Sequence, residues 1–117
     1  MFAAPINIFS LAYPEKSSNW TNRFQMFATE NMWTFILLDS YNGRLWQVQY
    51  STQDLDNLFC IPINKYELVE NNERCIFSIQ PLTSMYQYYL INDNTGDMWK
   101  FQWSTKGDDY RWIERFR

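Results

Sequence analysis

The feature that most constrains this chain is an internal repeat. Residues 32–52 read MWTFILLDSYNGRLWQVQYST and residues 85–105 read MYQYYLINDNTGDMWKFQWST, aligned without a gap at an offset of 53. Seven positions are identical: Met32/Met85, Leu37/Leu90, Gly43/Gly96, Trp46/Trp99, Gln49/Gln102, Ser51/Ser104 and Thr52/Thr105. Upstream, Phe24 and Met26 match Phe77 and Ile79, and PINIFSL (Pro5 to Leu11) matches PINKYEL (Pro62 to Leu68) at an offset of 57. The first copy therefore carries four extra residues within AYPEKSSNWTNR. Two units, about 5–61 and 62–117, make one domain over 1–117, because a unit of about fifty residues buries too little surface to stand alone.

Each unit reads as strands. WTFILLD is apolar on both faces, as expected of an interior strand. RLWQVQY alternates, with Trp46, Val48 and Tyr50 opposed to Gln47 and Gln49. In the second copy Trp99, Phe101 and Trp103 oppose Lys100 and Gln102, and a period of two marks a half-buried strand. RFQMF also alternates, with Phe24 and Met26 on one face. Between the last two strands, Asp39-Ser-Tyr-Asn-Gly43 and Asn92-Asp-Asn-Thr-Gly96 place an Asx residue at the start and glycine near the end. That is hairpin chemistry, the Asx side chain bonding the turn and glycine accepting a positive φ. The predicted fold is all-β: two pseudo-symmetric units of three to four antiparallel strands forming one small sandwich or barrel, its interior filled by the matched tryptophans. Leu37, Gly43, Trp46 and Gln49, with Leu90, Gly96, Trp99 and Gln102, form its structural signature. STQDLDNLF is read as holding at most one helical turn.

Composition fits. Aromatic residues are 20% of the 117, with 6 Trp, 8 Tyr and 9 Phe, and such side chains suit a pleated surface. Net charge is −3 and the pI about 4.8, which disfavours a phosphate backbone as partner. Arg111, Arg115 and Arg117 are read as a solvated strand edge, where positive charge discourages edge pairing. No apolar run is long enough to span a bilayer. MFAAPINIF lacks a basic region and a signal-like apolar stretch, so the expected location is cytoplasmic. The two cysteines, Cys60 and Cys75, are accordingly read as reduced thiols.

The sequence lacks most catalytic equipment. It has no histidine, hence no common general base or Ser-His or Cys-His pair. Two cysteines fifteen apart make no zinc site, and three glycines make no phosphate loop. Residues 92–97 resemble a calcium loop only in composition, because the first-ligand position falls on Ile91. The pairs Asp54/Asp56 and Asp108/Asp109 lie in polar, loop-like sequence and read as solvated charge rather than a glycosidase pair. The expectation is a non-enzyme without cofactor or metal.

With the pattern RFxM…NMWTFILLDxxxGRxWQVQYS in hand, the chain resembles a family of small tandem-repeat β proteins from gut Bacteroidetes and their mobile elements. The unit of that family reads RFxL…NMWTFILLDxxxGRxWQVQWS. The likeness covers most of both units, and the second copy departs from it at Ile76 (for Arg), Tyr86 (for Trp) and Asp97 (for Arg). The resemblance implies a fold unit and no chemistry. A weaker likeness to propeller repeats is shared hairpin physics; two units are too few for a propeller unless chains assemble.

Positions kept in both copies serve the fold, so a binding epitope is expected where the copies diverge: Tyr13, Trp20, Tyr41, Tyr110 and Arg111. Trp112 reads as core. The leading functional expectation is a non-catalytic protein-binding module, an inhibitor or an immunity or anti-defence protein that occludes a partner with a basic surface. A carbohydrate-binding module using exposed aromatics and a structural subunit of an assembly are the alternatives, and a homo-oligomer fits the last.

Overall fold

In the computed structural model of the chain, residues 22–50, 58–70 and 76–117 are described. Strands β1 (Phe24–Ala28), β2 (Thr34–Asp39), β3 (Arg44–Gln49) and β4 (Phe59–Pro62) form one antiparallel sheet in chain order. Strands β5 (Phe77–Pro81), β6 (Gln87–Asn92), β7 (Met98–Gln102) and β8 (Trp112–Arg115) form a second sheet of the same order, with a 3-10 turn at Asp108–Tyr110 before β8. The fold is all-β, a two-layer stack of meanders. Segment PINIFSL, part of STQDLDNLF, and residues Tyr13, Trp20, Asp54, Asp56 and Cys75 lie outside the described residues.

The two central hairpins share one register. Thr34 faces Gln49 and Leu37 faces Trp46; 53 residues on, Gln87 faces Gln102 and Leu90 faces Trp99. Their turns close alike. Gly43 N–H donates to the Asp39 carbonyl (2.9 Å) and Gly96 N–H to the Asn92 carbonyl (2.8 Å). The Asx side chain at the first position accepts from the following amides, Tyr41 on Asp39 and Asn94 on Asn92. Gly43 and Gly96 adopt φ of 81° and 77°, where a side chain would be strained. Gly43 is also pressed by Leu68 and Phe77, each 3.0 Å from where a Cβ would stand, whereas Gly96 has open space.

One hydrophobic cluster joins the layers. The first sheet contributes Phe27, Ile36, Leu38 and Leu45, and the second contributes Phe77, Ile79, Tyr88, Leu90, Trp99, Phe101 and Trp103. These are not equivalent faces. In β2 and β3 the buried set is Thr34, Ile36, Leu38, Leu45 and Gln47, the even side of β2, together with Asp39 at the end of its odd side, where it pairs with Arg23. In β6 and β7 it is Tyr88, Leu90, Asn92, Trp99 and Phe101, whose counterparts 53 residues earlier are Phe35, Leu37, Asp39, Trp46 and Val48. The back of the first sheet thus rests on the front of the second. The expectation that matched tryptophans fill the interior is corrected here: Trp99 and Trp103 are core, while Trp46 and Tyr50 are on the outside. Alternation divides a strand into two faces without saying which meets the other layer, and β2 is apolar on both.

Polar groups secure the stack. Gln47, fully buried, donates from Nε2 to the Ser104 carbonyl (2.9 Å) and accepts the Ser104 N–H at Oε1 (3.1 Å). The Ser40 carbonyl accepts from the Ile76 and Phe77 amides at the start of β5 (3.0 and 3.1 Å). A buried polar group without such partners would be costly.

Candidate functional site

Because the sheets stack back to front, the front of the first sheet has no second layer against it among the described residues. The strand registers set out its rows. Met26, Leu37, Trp46 and Pro62 form one, and Ala28, Phe35, Val48 and Cys60 the next. No side chain in these two rows carries a charge or an amide. Above them Phe24 is 47% exposed and below them Trp33 is 37% exposed. Adjoining rings couple the rows: Phe24 to Trp46 at 6.4 Å, Trp33 edge-on to Tyr50 at 5.4 Å, and Phe35 stacked on Tyr50 at 6.1 Å. Pro62 and Cys60 are exposed, and the other six side chains of the two rows are half-buried.

Two arginines border the face. The Arg23 guanidinium donates twice to the buried Asp39 carboxylate (Nε to Oδ1 3.0 Å, Nη2 to Oδ2 2.9 Å) and lies over the Phe24 and Tyr41 rings at 5.2 and 5.0 Å. That hydrogen bond raises the already high pKa of Arg23. Arg44 lies over Trp46 at 5.1 Å, and its Nε is buried with no hydrogen-bond partner among the described residues. The flat guanidinium is suited to such stacking. Cys60 is exposed on the same face, and burial pushes its thiol pKa up, away from what a nucleophilic thiolate requires.

The sequence-derived surface residues separate. Tyr41, half-buried under Arg23, joins the border of this face. Tyr110 is half-exposed, with the Lys106 ammonium 5.6 Å from its ring, and lines a shallow cleft of about 250 Å³ with Tyr86, Trp103 and Ser104. Arg111 lies elsewhere again: its side chain is 8% exposed and donates to the Ser104 carbonyl, to Gln47 Oε1 and to Asp108. It therefore binds the two layers together. Trp112 is half-buried on the outer face of the second sheet, opposite Gln102. Arg115 pairs with Asp97 (2.9 Å), and this lowers the Asp97 pKa, with help from the Thr95 hydroxyl.

Sequence reasoning missed the open face because it assigned Trp46 and Leu37 to the interior. The available signal was the two-sided apolar character of TFILLD. In a two-layer fold an interior strand has only one face to bury against the other layer, so a second apolar face faces outward. No family model, curated protein or solved structure matches the chain, and no described helix is long and apolar enough to cross a membrane, which says nothing about β-barrels.

Proposed function

We propose that this chain is a non-catalytic protein-binding module that works through the open face of its first sheet. The observation that carries the reading is the pair of rows Met26–Leu37–Trp46–Pro62 and Ala28–Phe35–Val48–Cys60, apolar from edge to edge. Sugars are held by aromatic platforms together with several side-chain donors and acceptors, and these rows offer only the Trp46 indole N–H and the Cys60 thiol. A protein surface of apolar side chains fits them, with acidic groups at its fringe to meet Arg44. Binding of this kind acts by occlusion, as inhibitors and immunity proteins do. The lack of histidine supports a non-catalytic role, as does the raised pKa of Cys60.

Cys60 supplies the test. In a Cys75→Ser background, a benzophenone attached to Cys60 and photolysed in a lysate of the cells that encode the chain should give discrete protein adducts. The same label at Asn94→Cys, in a turn of the other sheet with Cys60→Ser, should not. Labelling of glycan rather than protein would transfer the reading to carbohydrate binding, and no adduct of either kind would remove it.

A further inference from the structure

We infer that the surface covering the open face is the outer face of the second sheet of another copy of this chain, stacked head to tail. The inference rests on the protein-binding reading and names the occupant. Its ground is the interface already present inside the chain, where a sheet of this repeat receives the back of another sheet on its front. Phe77, Tyr88, Leu90, Trp99 and Phe101 are 0–7% exposed under the first sheet. Their counterparts Phe24, Phe35, Leu37, Trp46 and Val48 form the same surface with nothing stacked on it among the described residues. What the chain shows covering such a front is the back of its own repeat.

Among the described residues, no second sheet is stacked on the back of the second sheet. Its outer residues Tyr89, Ile91, Met98 and Lys100 occupy the positions of Ile36, Leu38, Leu45 and Gln47, the set buried inside the chain. All four are half-exposed, and Phe116 packs edge-on against Tyr89 at 5.5 Å. Backbone positions correspond too. Where Ser40 O receives the Phe77 amide within the chain, the counterparts are Asp93 O on one copy and the Phe24 amide on the next.

The two open faces are complementary to each other and not to themselves, so the contact is heterologous. Repeating it extends an array that closes as a ring or grows as a filament. A ring of four-stranded sheets stacked face to face is the propeller arrangement, in which each chain would supply two blades.

Several positions on the two faces are more polar than their counterparts inside the chain. Arg23 replaces the buried Ile76 at the front, and Lys100, Gln80 and Glu114 replace Gln47, Phe27 and the half-buried Ile61 at the back. Lys100 keeps donors but lacks the acceptor with which Gln47 receives Ser104 N–H. These are the changes expected where a surface is wetted between encounters, and they make the contact between chains weaker than the one within.

Sedimentation velocity across a concentration series decides the matter. The wild type should reach an integer multiple of 14.3 kDa or a growing series of such multiples. Phe24→Glu spoils only the front and Lys100→Glu only the back, both at solvent-touching positions where circular dichroism can verify folding. Each alone should self-associate at least about tenfold more weakly. Mixed, they should form a dimer and nothing larger, since one intact front meets one intact back and the other two faces are spoiled. Lys100→Glu assembling as well as the wild type would indicate front-to-front pairing and overturn the proposal. So would a wild type that stays monomeric at the highest attainable concentration, whether a foreign protein or the chain's own residues 1–21 cover the face. The protein-binding reading survives that last result if the Cys60 adducts contain a foreign protein, and falls with it if they contain none.

Discussion

Two sheets built from one repeat place the same residues in opposite surroundings. Trp99 is 7% exposed between the layers, while Trp46, at the same place in the same hairpin register, lies on an outer face under Arg44. The sequence differences between the copies follow from this. Arg23 and Asp39 form a bidentate pair at the border of the open face. In the second sheet the first position is Ile76 and the other Asn92, both buried. A carboxylate under the second layer without its arginine would be an unpaired buried charge, so the two substitutions belong together. Asp39 is as buried as Asn92, and the carboxylate stands only where Arg23 is there to pair with it.

The comparison can be broken most directly at its tryptophans. Trp99→Ala should cost about 3–5 kcal/mol of unfolding free energy, the usual range for emptying a buried aromatic site, and Trp46→Ala about 1 kcal/mol. Urea melts of the two variants should differ accordingly, and equal losses would mean that Trp46 is packed as deeply as Trp99. Gln47→Leu keeps the volume but removes both bonds to Ser104 and the contact from Arg111, and should cost about 2–3 kcal/mol. The parallel change Lys100→Leu, on the outer face, should be close to neutral in the same melts.

Tyr88 sharpens the contrast through pH. Burial, with a smaller contribution from the charge of Glu30, pushes its pKa up to about 12. Raised above the ordinary value of about 10, the phenol binds its proton more tightly in the folded chain. Its contribution is therefore intact below about pH 10 and is lost as pH rises towards 12, amounting to about 2–3 kcal/mol. Stability measured between these pH values should fall by less in Tyr88→Phe than in the wild type. The two glycines give the smallest contrast. Gly96→Ala should cost about 1 kcal/mol for its positive φ alone, and Gly43→Ala about 1–2 kcal/mol more, because Leu68 and Phe77 must give way. Equal losses in thermal melts would show that the two turns are under the same load.

Much of the fold was legible before any coordinates. The apolar run TFILLD, the alternation of RLWQVQY and the Asx–Gly turns each point to strands and hairpins, and local chemistry suffices for all three. The open face was hidden because alternation assigns residues to sides without naming the side that is covered. Gln47 shows the cost of that ambiguity: a glutamine opposite tryptophans reads as solvent-facing, yet it is fully buried and bonded to Ser104, 57 residues away. Arg111 was misplaced for a related reason, since a charged residue near a terminus carries no local sign that its guanidinium will be drawn between two layers.

By itself the sequence determined the repeat, the alternation along the strands and the turns, because these depend on residues close along the chain and on a period of two. Only the tertiary structure decided that the sheets stack back to front. Both sides of β2 are apolar enough to be covered, and the choice between them rests on contacts between residues far apart in the chain, where Gln47 finds Ser104, 57 positions on, and Ser40 finds Phe77 on the next sheet.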